Sequence, residues 1–386
     1  MLRLRTTFMF TIAGSVMALL VNRVQVALIL FDESDPLYTR DPSFTPTEPD
    51  PEGRQDTFSF KNLSNFIALE PTPRPRVESL VNGPNITGDV AWLMHLAVVG
   101  FAKCGTTAMQ AYFDRHPQIS MLDGEHCSIR DEGYAASNLV KKLAEELPRG
   151  NYIRGAKCPS YLEIPQALHT LSTLFPNARF VVGVRHPVLW FQLLPALELI
   201  GDCEKVGPRY KTGGVCTHQA KFHEPLALLG KTKMSTPEEQ QYFPKGFSSF
   251  VNQTGSSGHE IFLYDISQIA DNNERRQRQF RDDLQRFLHV DEPFSPLSED
   301  KESRRRLSGL ETSTFPNAHK RINICDRKYD GLRDVLLKIG KDASRWIRQY
   351  FIHAGGVHVS SVEFLDQALA RWEIDPCELR LKKALN

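Results

Sequence analysis

The chain has 386 residues, 41% of them apolar and 24% charged, which is enough for one large α/β domain with appendages and a sizeable core. Lys and Arg number 47 against 46 Asp and Glu. That balance argues against a nucleic-acid partner, which needs a concentrated positive field, so any anionic ligand must be met by local charge.

The first element is a candidate membrane segment. MLRLR supplies two cations, and the apolar run from Thr6 to Val21 resumes as VALILF after a polar break at Asn22 to Gln25. Such a run fits a signal peptide or an uncleaved signal anchor, although its uninterrupted part falls short of the twenty or so residues a span needs. No clear small-x-small cleavage site precedes Asp32, which favours an anchor over residues 1–31, with Arg3 and Arg5 cytoplasmic and the bulk of the chain lumenal. Residues 32–90 begin with a stretch rich in Pro, Asp, Glu and Thr and poor in aliphatic residues, the composition of a largely disordered stem. Three N-x-[ST] sequons, at Asn62, Asn85 and Asn252, permit glycosylation in a secretory compartment.

From residue 91 to 386 the pattern becomes that of an α/β protein, with a central parallel sheet flanked by helices. HLAVVG reads as a strand ending in glycine, followed by the loop FAKCGTT and a helix on which Met109, Tyr112 and Phe113 repeat. Ser137 is expected to cap a helix striped by Leu139, Leu143 and Leu147, and Ile164, Leu168 and Leu171 mark another. RFVVGV (179–184) and EIFLYD near residue 262 are further strands, apolar between their charged ends. Residues 201–258 read as a long insertion able to shape a substrate cleft. Phe280, Leu284, Phe287 and Leu288 define a helix whose Arg275, Arg276, Arg278 and Arg281 read as a solvated face. Leu332, Leu336, Ile339 and Trp346 mark the next helix, and Phe364, Leu365, Ala368 and Trp372 the last, behind an expected capping box of Ser360 and Glu363.

Seven cysteines fit an oxidising compartment and leave at least one without an intramolecular partner. The expected pairs are Cys203 with Cys216 and Cys325 with Cys377. Cys104, Cys127 and Cys158 read as small buried filler. No CxxC or HExxH occurs, and no metal site is expected.

The loop GFAKCGTT, residues 100–107, departs from a nucleotide-triphosphatase loop, in which Lys directly follows the second glycine. Here Thr106 holds that slot and Lys103 sits inside the loop. Backbone amides of Gly100, Gly105, Thr106 and Thr107 at a helix N-terminus form an anion cradle. A kinase-type site also needs a metal-binding Asp at the end of a neighbouring strand. Strand 179–184 runs instead into Arg185, His186 and Pro187. A transferred sulfuryl group, less charged than a terminal phosphoryl, suits a lysine acting without Mg²⁺, and Arg185 suits a second phosphate through paired hydrogen bonds.

Strand, FAKCGTT and helix together resemble the 5′-phosphosulfate loop of sulfotransferases, and RFVVGVRHP resembles their 3′-phosphate segment. HPQISMLDGEHCSI is similar to the strand and turn of Golgi heparan sulfate sulfotransferases that present a catalytic glutamate, and RGAKCPSYL to their E-K-T-P-x-Y segment. The likeness spans roughly 95–195 and resumes near 260, where IFLYDISQIADNNERRQRQFRDDLQRFL is similar to a later strand and helix. It implies a P-loop-like sulfotransferase fold that binds 3′-phosphoadenosine 5′-phosphosulfate (PAPS) through Lys103, Cys104, Gly105, Thr106, Thr107 and Arg185. It further implies Lys103, Glu125 and Lys157 in catalysis, with Tyr161 near the acceptor. His126 is an equally good base by intrinsic pKa, and the eight-residue spacing from Pro117 favours Glu125. One position departs from the pattern: where the family usually has Ser eight residues after the arginine, this chain has Leu193. Loss of one charge-assisted hydrogen bond there would cost roughly 1.5–3 kcal/mol.

The expected reaction is transfer of sulfuryl from PAPS to a glycan hydroxyl by a Golgi enzyme with a single-pass anchor. The alternatives are a non-catalytic glycan-binding protein of the same fold and a P-loop kinase.

Overall fold

The structure, a computed structural model, describes residues 70–130, 135–193, 217–254, 258–296 and 323–378. The anchor expected at 1–31, the sequon at Asn62 and the pair Cys203–Cys216 lie outside the described residues. Among the described residues no helix is long and apolar enough to cross a membrane.

The described chain opens with a short helix α1 (Val77–Leu80) and a hairpin of β1 (Val81–Asn82) and β2 (Asn85–Ile86). Residues 70–90, at the end of the stretch read as stem, carry Leu80 and Val81 into the core. Asn85 of the second sequon lies exposed on this hairpin. Then come β3 (Leu96–Val98), α2 (Thr106–Asp114), β4 (Ile119–Met121), α3 (Ala135–Glu146), β5 (Ile153–Lys157), α4 (Pro165–Leu174) and β6 (Arg179–Val184). After α5 (Pro187–Phe191), the helices α6 (His223–Ala227), α7 (Pro237–Gln240) and α8 (Phe247–Thr254) occupy the expected insertion. β7 (Ile261–Asp265), α9 (Ile266–Ile269), α10 (Glu274–Leu288), α11 (Asp330–Trp346), β8 (Val357–Val359) and α12 (Val362–Ala370) complete the order.

Six strands form one sheet in the order β4-β5-β3-β6-β7-β8, with every neighbouring pair parallel. The side-chain period of two divides each strand between two cores. Leu96, Val98, Val181, Phe262 and Tyr264 pack with Met109 and Phe113 of α2 and Phe280 and Leu284 of α10. Ala97, Val99, Phe180, Val182 and Leu263 meet Leu139 of α3, Leu171 of α4 and Leu336 and Trp346 of α11 on the opposite face. Each fully buried large aliphatic or aromatic side chain contributes roughly 1.5–3 kcal/mol. The α/β class and the parallel sheet expected from the apolar runs are the observed ones.

β5 escapes the apolar-run rule, because it reads Ile-Arg-Gly-Ala-Lys and yet is buried throughout. Arg154 is tolerated there by an ion pair with Glu70, a hydrogen bond from its Nη2 to the Gly150 carbonyl at 2.8 Å, and the Trp92 ring 5.4 Å away.

Two capping expectations are corrected. Ser137 lies in the first turn of α3 rather than before it. The residue that caps α12 is Ser361, one position later than expected, and its hydroxyl accepts from the Phe364 amide at 3.2 Å. Arg275 and Arg278 are exposed as a solvated helix face requires, whereas Arg276 and Arg281 are half-buried, Arg276 in an ion pair with Asp271 and over the Phe364 ring.

The cysteines divide unevenly. Cys325 and Cys377 are bonded as expected, and Cys104 is a free, buried thiol. Cys127 and Cys158, read as filler, form a second disulfide with a Cα–Cα distance of 5.0 Å.

Candidate functional site

The site lies where parallel-sheet chemistry is expected, outside the carboxyl ends of β5, β3 and β6 near the point where the chain switches from one side of β3 to the other. Val98 at the end of β3 stands in register with Lys157 and with Val181. The loop after β3 therefore emerges between Lys157, which ends β5, and Arg185, which follows β6.

Three glycines let backbone replace side chain around this loop. A Cβ at Gly100 would lie 2.6 Å from the Gly183 nitrogen, and one at Gly183 would lie 2.3 Å from the Cys104 carbonyl oxygen. Gly105 precedes α2 with φ +84°, a left-handed conformation that glycine adopts without strain. Lys103 is left-handed as well, at φ 64°, where a β-carbon costs about 1–2 kcal/mol. Two buried side chains hold the loop from opposite cores: the Tyr264 hydroxyl donates to the Cys104 carbonyl at 2.9 Å, and Trp190 Nε1 donates to the Ala102 carbonyl at 2.7 Å. No side chain caps the N-terminus of α2, so its leading amides and the positive end of its dipole face the loop opening.

Cys104 contributes its main chain only. Burial pushes its thiol well above the ordinary range, partly opposed by the charge of Arg185. Thr106 is buried, while Thr107 is half-buried and its hydroxyl accepts from Lys157 Nζ at 2.9 Å.

Arg185 is 6% exposed, and its Nε has no hydrogen-bond partner. A buried guanidinium with an orphaned donor is a costly arrangement unless an anion completes it. The neighbouring carboxylate, Asp265, is committed elsewhere: it accepts from the Ser267 amide at 2.9 Å and hydroxyl at 2.6 Å as the cap of α9. His186 caps α5 by accepting from the Val188 amide at 3.2 Å, and burial drives its pKa down to about 4, so the ring is a neutral structural piece. Leu193 is buried at the end of this segment.

Lys157 and Glu125 meet. Lys157 Nζ lies 3.1 Å from Glu125 Oε1, with the lysine side chain 3% and the glutamate 53% exposed. Burial lowers the Lys157 ammonium below its ordinary range, and the Glu125 carboxylate pulls it back in part. His126 is placed differently. Its ring lies between the Asp123 carbonyl, 2.7 Å from Nε2, and Lys142 Nζ, 3.4 Å from Nδ1, and burial lowers its pKa. Its backbone carbonyl accepts from the Tyr161 hydroxyl, so Tyr161 shapes the turn that carries Glu125.

The expected site residues thus converge on one edge of the sheet: Lys103 to Thr107 in the loop, Lys157 with Glu125 on one side, Arg185 on the other. Three contributors escaped the sequence reading. Trp190 and Tyr264 carry no signal beyond a core aromatic, and the Cys127–Cys158 bond was foreshadowed only by its members' nearness to Glu125 and Lys157. Among the described residues no group of three or more His, Cys, Asp or Glu side chains is placed to hold a metal ion.

These features define an α/β protein with a glycine-lined loop, beside a buried arginine, at the carboxyl edge of a parallel sheet. No protein-family model matches the sequence. No curated protein matches it either. Among solved structures, a sulfotransferase from Alicyclobacillus acidocaldarius aligns with 56% of this chain and 90% of its own, at 17% identity and a TM-score of 0.32. A likeness this distant carries no argument about the reaction.

Proposed function

We propose that the protein is a PAPS-dependent sulfotransferase that moves a sulfuryl group to a hydroxyl of a glycan acceptor. The observation that carries this reading is the buried Arg185 guanidinium with its unpartnered Nε, beside a glycine-lined loop that holds Lys103 in a strained conformation. Two fixed cations separated across one loop suit a nucleotide with phosphates at two places. The kinase reading wants a carboxylate where Arg185 stands, and Asp265 on the next strand already caps a helix.

In this reading the α2 amides and Lys103 hold the 5′-phosphosulfate and Arg185 holds the 3′-phosphate. Glu125 accepts the proton of the attacking hydroxyl as its oxygen bonds to sulfur and the bond from sulfur to the bridging phosphate oxygen breaks. Lys103 stabilises the charge that collects on that departing oxygen. Lys157 positions Glu125 against the helix through Thr107. A Golgi location, a membrane anchor and a glycan or glycoprotein acceptor belong to the same proposal. Their support is the apolar N-terminal run, the exposed sequons at Asn85 and Asn252, and the two disulfides.

Calorimetric titration of the purified full-length protein with adenosine 3′,5′-bisphosphate in EDTA tests it. Binding that weakens when the 3′-phosphate is removed is expected, and transfer of labelled sulfate from PAPS to chemically desulfated heparin is expected alongside. Binding only of ATP with Mg²⁺ would establish the kinase, and a folded protein that binds neither nucleotide would establish the non-catalytic reading.

A further inference from the structure

Resting on the sulfotransferase reading, we propose that the Cys127–Cys158 disulfide is a positioning device for Glu125, so that catalytic competence depends on the oxidised state of this bond while nucleotide binding does not.

Cys158 directly follows Lys157, and Cys127 lies two residues after Glu125. The bond therefore ties the two chain segments whose side chains form the Glu125–Lys157 pair. Residues 122–127 have no helix or strand of their own, and Gly124 stands at φ +81° with open space around it. This turn is pinned at its ends, by the Leu122 amide donating to the Gly155 carbonyl at 2.9 Å and the His126 amide donating to the Lys157 carbonyl at 2.8 Å, and in its middle by Gln110 Nε2 of α2, which donates to the Gly124 carbonyl at 3.1 Å. Between those pins Glu125 is more than half exposed, and its ion pair is with Lys157. The disulfide adds a covalent closure across 31 residues at the pinned end nearer to Glu125.

The nucleotide cradle is held by other means. Trp190 and Tyr264 fix its loop, and Arg185 follows β6, away from either cysteine in sequence. Opening the disulfide loosens the turn that carries the base, which its hydrogen bonds still anchor, without dismantling the cradle. A dithiol performs that step in balance, giving up two electrons and two protons to the cysteines as it closes to its own disulfide. Cys127 is partly exposed and Cys158 fully buried, so attack falls on the Cys127 sulfur and Cys158 is the leaving thiolate.

The experiment uses the C127A/C158A double variant of the full-length protein, which keeps the Cys325–Cys377 bond. The expected result is a kcat for sulfate transfer to desulfated heparin about ten- to a hundredfold lower, with the Kd for adenosine 3′,5′-bisphosphate unchanged within twofold. Faster hydrogen exchange is expected across 122–127 and not across 100–107. Unchanged kcat and unchanged exchange overturn the proposal, and so does a parallel loss of nucleotide binding, which marks the bond as structural only. Should the double variant fail to fold, the wild-type chain treated with dithiothreitol is read by the same measures, with C325A/C377A as the control for the other bond. Failure of the disulfide-bonded protein to bind the bisphosphate instead removes the sulfotransferase reading itself.

Discussion

Lys157 Nζ stands 3.1 Å from Glu125 Oε1 and 2.9 Å from Thr107 Oγ1, so one buried ammonium joins the candidate base to the helix that follows the glycine-lined loop. Lys157→Met removes a desolvated charge and leaves Glu125 in water, so the melting temperature is expected to hold or rise. Turnover should fall about tenfold or more through misplacement of Glu125. Glu125→Gln should depress kcat at least as far and leave bisphosphate affinity intact. Steady-state kinetics beside calorimetry decide this, and a His126→Ala variant that alone reproduced the Glu125→Gln loss with the turn intact would make the histidine the base.

Lys103 combines a left-handed backbone with the charge the proposed transfer requires. Glycine relieves the first and deletes the second. Lys103→Gly is therefore expected to match the wild-type unfolding free energy or exceed it by up to about 1 kcal/mol, and to abolish transfer. Lys103→Ala should abolish transfer without that gain. Thermal melts of the two variants side by side separate strain from charge.

Arg185→Gln takes an under-partnered guanidinium out of the interior, so little stability should be lost. The bisphosphate Kd should rise roughly ten- to a hundredfold, the worth of a charge-assisted contact. Affinity for adenosine 5′-phosphate, which lacks the 3′-group, should stay within twofold. Equal weakening for both ligands would move Arg185 off the 3′-phosphate.

Acid should unfold the protein in a definite window. Burial lowers the pKa of His186, His223 and His259 to about 4 each, from an ordinary value of 6.5. The unfolded chain takes up these protons first, so their stabilising effect is complete above pH 6.5 and is lost as pH falls towards 4. A shift of that size corresponds to about 3 kcal/mol per histidine. His186→Asn keeps an acceptor for the Val188 amide and removes the titration, so its melting temperature should depend less steeply on pH across that window.

The sequence exposed the parts of this fold that obey apolar periodicity. β3 is an apolar run, β6 and β7 are apolar runs with a charged residue only at one end, Arg179 and Asp265, and α10 and α11 bury the stripes that their spacing marks. β5 was hidden because Arg154 and Lys157 occupy buried positions whose compensation, from Glu70 and from Glu125, is distant in sequence. For the same reason the loop residues Lys103 to Thr107 were legible as a motif, while the rings that hold them, Trp190 and Tyr264, were not. Ser361 displaced Ser360 as a cap because two adjacent serines look alike until the backbone turns.

The Glu70–Arg154 pair sets a practical limit on truncation. A fragment begun at residue 91, where the α/β pattern becomes visible, would discard Glu70 and the hairpin while leaving Arg154, buried in β5, without its carboxylate partner. Breaking a buried pair in this way costs about 3–5 kcal/mol, a large share of what holds a domain together. Expression of this protein should therefore begin upstream of Glu70, and an insoluble shorter product would say nothing against the proposed activity.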